Sequence, residues 1–589
     1  MHGQCRSRSR PRERLTVLEM RMTDRYATYR QAQTAIPSRS RCLPLYGAGF
    51  ENLGALVERP VPEPAADQLL VRHDAIGLCF SDIKILTQGP AHPRLQGRDL
   101  QKEPVVMGHE VVMTVVKVGA KLKDAYRPGD RFIIQADIYV NGVNLAYGYK
   151  IDGGLSEYGL IDRRILNGDH GNYLIPVKPE TGYAESALAE PWACVVAAYT
   201  LKYRTGLKSG GTAWIVGTSS ARDDYTLGAG WDRDGHPARL LLTRVPAKLE
   251  RTLKARAAEL NMDIVAVAPG TQPPVEKIDD IIFLGADAEA VEAASPFLAH
   301  GGIVAILADR PMSRPVKIDV GRIHYEDWVY VGATGNDIAK AYAQTPVRPD
   351  LKAGGKTLFA GAGGPIGRMH LQRAIEKANG PRTIVCTDAS DVRLKDLEDT
   401  YADEAKAKGI RLVCLNPMRK DAYAQGMAEF ARDGFDDVVV LAPVAPLIAE
   451  TSRYLGPGAV MNIFAGVARG TTADVDLSDA YLKQTRIVGH SASTIDDLKE
   501  VLRQIESKEL ATNRSVAAVG SLEAAREGLK AVKDAVYPGK IVIFPHIREL
   551  PVTPLGDLKT KLPSVHARLK NGREWTKEAE EEFLRVMLK

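Results

Sequence analysis

No stretch of this 589-residue chain stays apolar for the ~20 residues that a bilayer-spanning helix needs. The arginine-rich N-terminus also lacks the apolar segment of a secretory signal. Cysteine is scarce. Cys5, Cys42, Cys79, Cys194, Cys386 and Cys414 are scattered, with no Cys-x-x-Cys pair. That argues against a disulfide framework and makes a reducing, cytoplasmic setting the expectation. Neither sign of charge dominates: 78 Lys and Arg against 73 Asp and Glu leave a net charge of +5. For this size such a balance points to neither a nucleic acid nor a membrane surface as partner. With 45% hydrophobic and 26% charged residues the composition is that of a soluble globular protein, and the length implies three or more domains.

Residues 1–40 set Arg6, Arg8, Arg10, Arg12 and Arg14 among Ser, Pro and Glu, with little hydrophobic periodicity. They read as a disordered basic extension. A nucleic-acid-binding arm is the sharper alternative, disfavoured because no aromatics are interleaved among Arg6–Arg14 to stack on bases. Residues 41–205 read as short strands punctuated by Gly and Pro, which suits a small, mostly β domain. The rest of the chain contains a duplication. Lys208-Ser209-Gly210-Gly211 is echoed by Lys352-Ala353-Gly354-Gly355, and Asp279-Asp280-Ile281-Ile282 by Asp436-Asp437-Val438-Val439. Each half alternates apolar strands with helical stretches, the pattern of a doubly wound parallel sheet. The expectation is an α/β chain with two tandem Rossmann-like domains, 206–348 and 349–495.

Chemistry concentrates in three segments: Cys79-Phe80-Ser81-Asp82, Gly108-His109-Glu110 and Ala189-Glu190-Pro191. Taken singly they are a core cysteine, a satisfied histidine and two surface glutamates. Together they supply the thiolate, imidazole and carboxylate that a catalytic zinc ion accepts, leaving one position open. Cys79, His109, Glu110 and Glu190 are therefore the candidate metal ligands.

The second half carries the candidate dinucleotide site. Leu358-Phe359-Ala360 reads as a strand, followed by Gly361-Ala362-Gly363-Gly364-Pro365-Ile366-Gly367 and a helix from about Arg368 to Ala378. Such glycines allow a tight turn and close approach to a pyrophosphate at the helix N-terminus. Gly361, Gly363, Gly364, Ile366 and Gly367 are the candidate contacts, although the run is one residue longer than the strict spacing. Asp388 ends the next strand, where a carboxylate would bind the adenosine ribose and repel a 2′-phosphate, so NAD is favoured over NADP. Arg393 lies close enough to blur that preference. The first half has Thr218-Ser219-Ser220-Ala221-Arg222 after its first strand and Thr243 in place of Asp388. It reads as a degenerate, structural copy; a site for a different ligand is the competing idea.

These motifs, with Pro128-Gly129-Asp130-Arg131 and Gly153-Gly154-Leu155-Ser156-Glu157-Tyr158, occur in the order seen in zinc-type medium-chain alcohol and polyol dehydrogenases. The chain resembles most the sorbitol-dehydrogenase and L-sorbose-1-phosphate-reductase branch. That resemblance implies a GroES-like catalytic domain over 41–205, to which residues 496–545 return, and a helical C-terminal extension at 546–589. It implies one catalytic zinc on Cys79, His109 and Glu110, with Glu190 contacting the metal directly or through water, and Ser81 as the hydroxyl that relays the substrate proton. Relatives often carry a second, structural zinc on four close cysteines; none lies between Phe132 and Lys150, so that ion is expected to be absent. The implied reaction moves a hydride between NAD(H) and a polyol, sugar or sugar phosphate, in a homo-oligomer (dimer or tetramer). Two alternatives stand beside it: a non-catalytic dinucleotide-binding scaffold, and an NADPH-dependent reductase of an acyl or aromatic substrate.

Overall fold

The computed structural model describes residues 25–201, 204–343, 348 and 350–588. The expectation for residues 1–24 therefore lies outside the described residues. The chain divides into two compact units. One runs to Cys194 and resumes at Ser493; the other spans Val195–Ala492.

The first unit is built on an eight-stranded sheet. Its centre is Leu69–Gly77, flanked by Glu110–Val118 on one side and Lys540–Phe544 on the other, both antiparallel to it. The segment Pro538-Gly539-Lys540 thus leads the chain back into this sheet. All nine residues of Leu69–Gly77 are buried. A strand with two charges can only be buried if they are paired, and Arg72 Nε meets Asp74 Oδ1 at 2.7 Å.

That pair explains a difference from the sequence reading. The disordered extension expected up to residue 40 becomes ordered structure from residue 25, where a helix covers 25–30. Tyr29 stacks on the Arg72 guanidinium at 3.4 Å and donates its hydroxyl to Asp74 Oδ1 at 2.7 Å. At the other terminus the expected amphipathic helix spans Lys577–Met587. Phe583 packs 5.0 Å from Phe544, and Glu580 accepts the backbone N–H groups of Tyr183 and Ala184. The extension is thus part of this unit's core.

The second unit holds one twelve-stranded sheet. In chain order its strands are β1 Thr212–Gly217, β2 Arg239–Thr243, β3 Asp263–Ala266, β4 Ile278–Leu284, β5 Leu298–Leu307 and β6 Val329–Ala333, then β7 Lys356–Ala360, β8 Thr383–Thr387, β9 Arg411–Leu415, β10 Phe435–Val440, β11 Leu455–Ile463 and β12 Arg486–Gly489. Their spatial order is 3-2-1-4-5-6-12-11-10-7-8-9. Each half has the six-stranded, dinucleotide-binding strand order 3-2-1-4-5-6. The two halves, expected as separate domains, instead share one sheet. They join where β6 meets β12 antiparallel, at Tyr330 and Ile487. A second junction pairs Val316–Asp319 with Thr472–Val475, antiparallel and centred on Lys317 and Asp474. Superposing the two sequence halves makes Tyr330 the counterpart of Ile487, and Lys317 that of Asp474. Each junction therefore lies on a pseudo-two-fold axis, as an isologous dimer interface would. Joining the sixth strands of both halves also removes two exposed sheet edges. Among the described residues no helix is long and apolar enough to cross a membrane.

Candidate functional site

Cys79 caps the N-terminus of the helix Phe80–Gln88. Its Sγ accepts the Ser81 N–H at 3.4 Å, and Asp82 Oδ2 accepts the Cys79 N–H at 3.0 Å. A sulfur held at a helix start sits in the positive potential of the helix end. Asp82 has a second task. Its Oδ1 accepts the Gly108 N–H at 3.3 Å and lies 3.3 Å from His109 Nδ1. A carboxylate at one ring nitrogen orients the imidazole and leaves the other nitrogen to face a ligand. Burial pulls the His109 pKa down, but the Asp82 charge and the hydrogen bonds to Asp82 and Cys79 outweigh it and hold it well above its ordinary value.

Glu110 opens the strand Glu110–Val118 and is fully buried. It lies opposite Gly77, where any Cβ would overlap its carboxylate, so the pairing strand must carry glycine there. Glu110 Oε1 accepts from Lys540 Nζ, while Oε2 is buried without a hydrogen-bond partner. Lys540 also donates to the Leu78 carbonyl at 3.2 Å. Burial lowers its pKa, but the charges of Glu110, Cys79 and Glu190 push it above the ordinary lysine value. The ammonium therefore stays charged and balances the carboxylate.

The donor atoms of Cys79, His109 and Glu110 all lie within 4.8 Å of one another. This set, with His109 and Glu110 buried, Cys79 partly so and one carboxylate oxygen unpartnered, suits a borderline-soft cation such as zinc. Glu190, in the helix Ala189–Ala197, falls outside that group of three. It remains electrostatically tied to it: burial raises its pKa to about 7, the Glu110 charge adding and His109 and Lys540 opposing. Ser81 is partly buried, in the first turn after Cys79. Met107 and Trp192, the ligands' neighbours in sequence, are buried packing residues, and Trp192 donates to Ser515 Oγ at 3.0 Å.

Lys540 and the role of Asp82 escaped the sequence reading. Asp82 could have been found from its place three residues after the helix cap. Lys540 carries a fainter signal, a single cation opening an otherwise apolar strand.

In the second unit the loop after β7 brings the candidate cofactor residues together. Gly361 turns the chain at φ +84°, next to Ala442. Gly363 N–H donates to Asp388 Oδ2 at 3.0 Å, and Ser390 N–H to Oδ1 at 3.0 Å. A Cβ on Gly363 would collide with Asp388 and Arg393, so all three meet at one point. The helix starts at Pro365, three residues earlier than expected, with Gly364 as cap and Ile366 partly buried. Proline at the first helical position is pre-set for that start. Gly367 packs against the Ala362 carbonyl, which a side chain would forbid. The extra glycine is thus absorbed in the turn at Gly363, with Gly364 left facing open space.

The first half lacks all of this. No helix stands between β1 and β2. Arg222 instead pairs with Asp224 at 2.9 Å and Asp309 at 2.7 Å in the loops beyond the strand ends. Thr243 turns inward, its hydroxyl accepting the Trp214 indole N–H at 3.0 Å.

Comparison with known proteins agrees with this architecture. Residues 65–167 match the alcohol dehydrogenase GroES-like domain. Mannitol-1-phosphate 5-dehydrogenase of Aliivibrio fischeri is 23% identical over 539 residues, covering 89% of this chain and 93% of that protein. L-sorbose 1-phosphate reductase of Klebsiella pneumoniae is 22% identical over 530 residues, covering 88% and 92%. Sorbitol dehydrogenase of Bombyx mori is 42% identical over 76 residues, 13% of this chain and 20% of that protein. The GroES-like match at residues 65–167 and the doubly wound sheet make the chain similar to the medium-chain dehydrogenases and support an oxidoreductase of the alcohol and polyol dehydrogenase type.

Proposed function

We propose that this chain is a zinc-dependent oxidoreductase that moves a hydride between NAD(H) and a polyol, sugar or sugar phosphate. The observation that carries the metal reading is the convergence of Cys79, His109 and Glu110, with Glu110 Oε2 buried and unpartnered among them. The substrate class is supported by the two relatives matched along nearly their whole length, whose names specify a hexitol phosphate and a hexose phosphate. Bound zinc would act as a Lewis acid toward the substrate oxygen, and bound NAD would take up or return the hydride.

The chain's own residues divide the remaining work. Cys79, His109 and Glu110 hold the cation, with Glu190 close enough in charge to join or replace a ligand. Lys540 prevents Glu110 from being a lone buried carboxylate, and Asp82 fixes the His109 ring. The Ser81 hydroxyl receives the substrate proton and passes it toward solvent. Gly361 and Gly363 shape the turn, their N–H groups bonded to Thr387 and Asp388, while Gly364, Ile366 and Gly367 at the helix N-terminus offer backbone N–H groups to a pyrophosphate. Asp388, with Arg393 beside it, favours a free ribose over a 2′-phosphate and hence NAD over NADP.

Formation of NADH, followed by its absorbance with mannitol, sorbitol and mannitol 1-phosphate as substrates, tests the reading. Sustained turnover that vanishes in Cys79→Ser with the fold intact is expected. Binding of NADH without turnover of any of the three would favour a scaffold and end the proposal.

A further inference from the structure

A basic group borders the candidate metal ligands and has no part in holding the cation. Tyr149 is buried, with its ring 6.1 Å from that of His109. The same ring lies 5.4 Å from His92, and the Arg94 guanidinium sits 5.2 Å over it. Two short 3-10 turns, Gly89–Ala91 and Pro93–Leu95, bring His92 and Arg94 there directly after the helix that Cys79 caps. Lys84, on that helix, is near enough for its charge, with that of Arg94, to add to burial in lowering the His92 pKa to about 4. A carboxylate answers Arg94. Asp137 Oδ1 meets Arg94 Nη1 at 2.7 Å and also accepts from Asn144 at 3.0 Å. Asp137 in turn lies within electrostatic reach of Glu190, which ties the group to the metal-ligand cluster.

The donors are of the right kind for an oxyanion. Arg94 is about one-third exposed and stacked on an aromatic face, a pose that fixes the plane of its fork. Asp137 occupies one guanidinium nitrogen. His92 Nδ1 accepts the Arg94 backbone N–H at 3.2 Å, so in the neutral ring the proton rests on Nε2, which becomes a donor. Lys84 adds positive field without needing bidentate geometry. A phosphate monoester, close to dianionic at neutral pH, answers two cations and an N–H donor better than a hydroxyl would.

We propose that Arg94, assisted by His92 and Lys84, binds the phosphate of a phosphorylated polyol or sugar whose reacting alcohol lies at Cys79, His109 and Glu110. The assignment rests on the oxidoreductase reading and adds to it the residues that select the substrate. Arg94 holds the charged end of the substrate and touches none of the reacting atoms.

The test compares kcat/KM for mannitol 1-phosphate and for mannitol in the wild type, Arg94→Gln, Arg94→Lys and His92→Ala. The ratio of the two values should favour the phosphate ester in the wild type and fall about tenfold in Arg94→Gln, through KM, with partial recovery in Arg94→Lys. A smaller fall is expected in His92→Ala. An unchanged ratio, with both values lowered together, would mean that Arg94 acts through Tyr149 and Asp137 as a structural residue, and would overturn the proposal. Calorimetric binding of mannitol 1-phosphate separates this outcome from failure of the oxidoreductase reading. Were no substrate turned over, saturable binding weakened about tenfold in Arg94→Gln would still support the phosphate site. Equal binding in both proteins, or none in the wild type, would refute it.

Discussion

The two halves of the twelve-stranded sheet are near copies at one end and unlike at the other. At the N-terminal ends of their central strands the same lock is built twice. Lys208 Nζ meets Asp279 at 2.6 Å, and Lys352 Nζ meets Asp436 at 2.6 Å. Arg204 pairs with Asp280 at 3.0 Å, and Arg348 with Asp437 at 2.8 Å. The same aspartates accept backbone N–H groups, Asp280 from Lys208 at 2.9 Å and Asp437 from Lys352 at 2.9 Å. At the C-terminal ends the second half has a glycine turn, a helix N-terminus and Asp388, while the first has the Arg222 ion pairs and no helix. Ligands of doubly wound sheets bind at the C-terminal ends, so one end can lose its site while the other keeps the fold. The first half thus shares what closes the sheet and lacks the glycine turn and helix start found in the second.

Substitutions at both ends of the sheet test this contrast. The largest effect belongs to Gly367→Val, which forces a side chain into the Ala362 carbonyl. It should abolish NADH binding, measured by fluorescence titration, while circular dichroism stays that of the wild type. The wild type should bind one NADH per chain; two would erase the difference between the halves. Next come the locks. Asp437→Ala and Asp280→Ala each leave a partly buried arginine without its partner and should each cost about 3 kcal/mol in denaturant unfolding. A large loss in only one half would show that the lock is no longer shared.

Asp388→Asn removes the carboxylate proposed to face the ribose. NADH affinity should fall about tenfold while NADPH affinity rises, and equal changes for the two cofactors would contradict the assignment. A milder effect comes from titration. Burial, against the pull of Arg348, raises the Asp437 pKa from 3.8 to about 6. The native state thus holds a proton that the unfolded chain has lost. The stability due to this group is complete below pH 3.8 and is lost as pH rises through 6. Asp437→Asn should flatten unfolding stability across that window, and an unchanged slope would refute the burial argument. Smallest of all is Arg222→Ala. Its pairs are exposed, so neither the unfolding midpoint nor NADH affinity should move measurably.

The candidate site was legible in sequence where its chemistry is local. Cys79 caps the helix it opens, His109 and Glu110 are adjacent, and the glycine turn lies between a strand and a helix. The duplication was legible because the Asp-Asp locks repeat. What could not be read depends on distant partners. Lys540 resembles a solvated lysine until the return strand places it against Glu110, far earlier in the chain. Tyr29, one aromatic in a charged stretch, gains meaning only over the Arg72 ion pair. The joining of the two halves was hidden for another reason. Antiparallel pairing of β6 and β12 uses backbone groups of strands that already look buried, so nothing in their residues distinguishes a sheet edge from a sheet centre.

Zinc content bears most directly on the proposed cation site at Cys79, His109 and Glu110. Elemental analysis of the purified chain and of Cys79→Ser, after equilibration with zinc and removal of the excess, should give one ion per chain in the wild type. The variant should hold little or none, with NADH binding retained in both. A wild-type chain that oxidises polyols at full rate while holding no zinc, or a Cys79→Ser variant that retains a full equivalent, would contradict it.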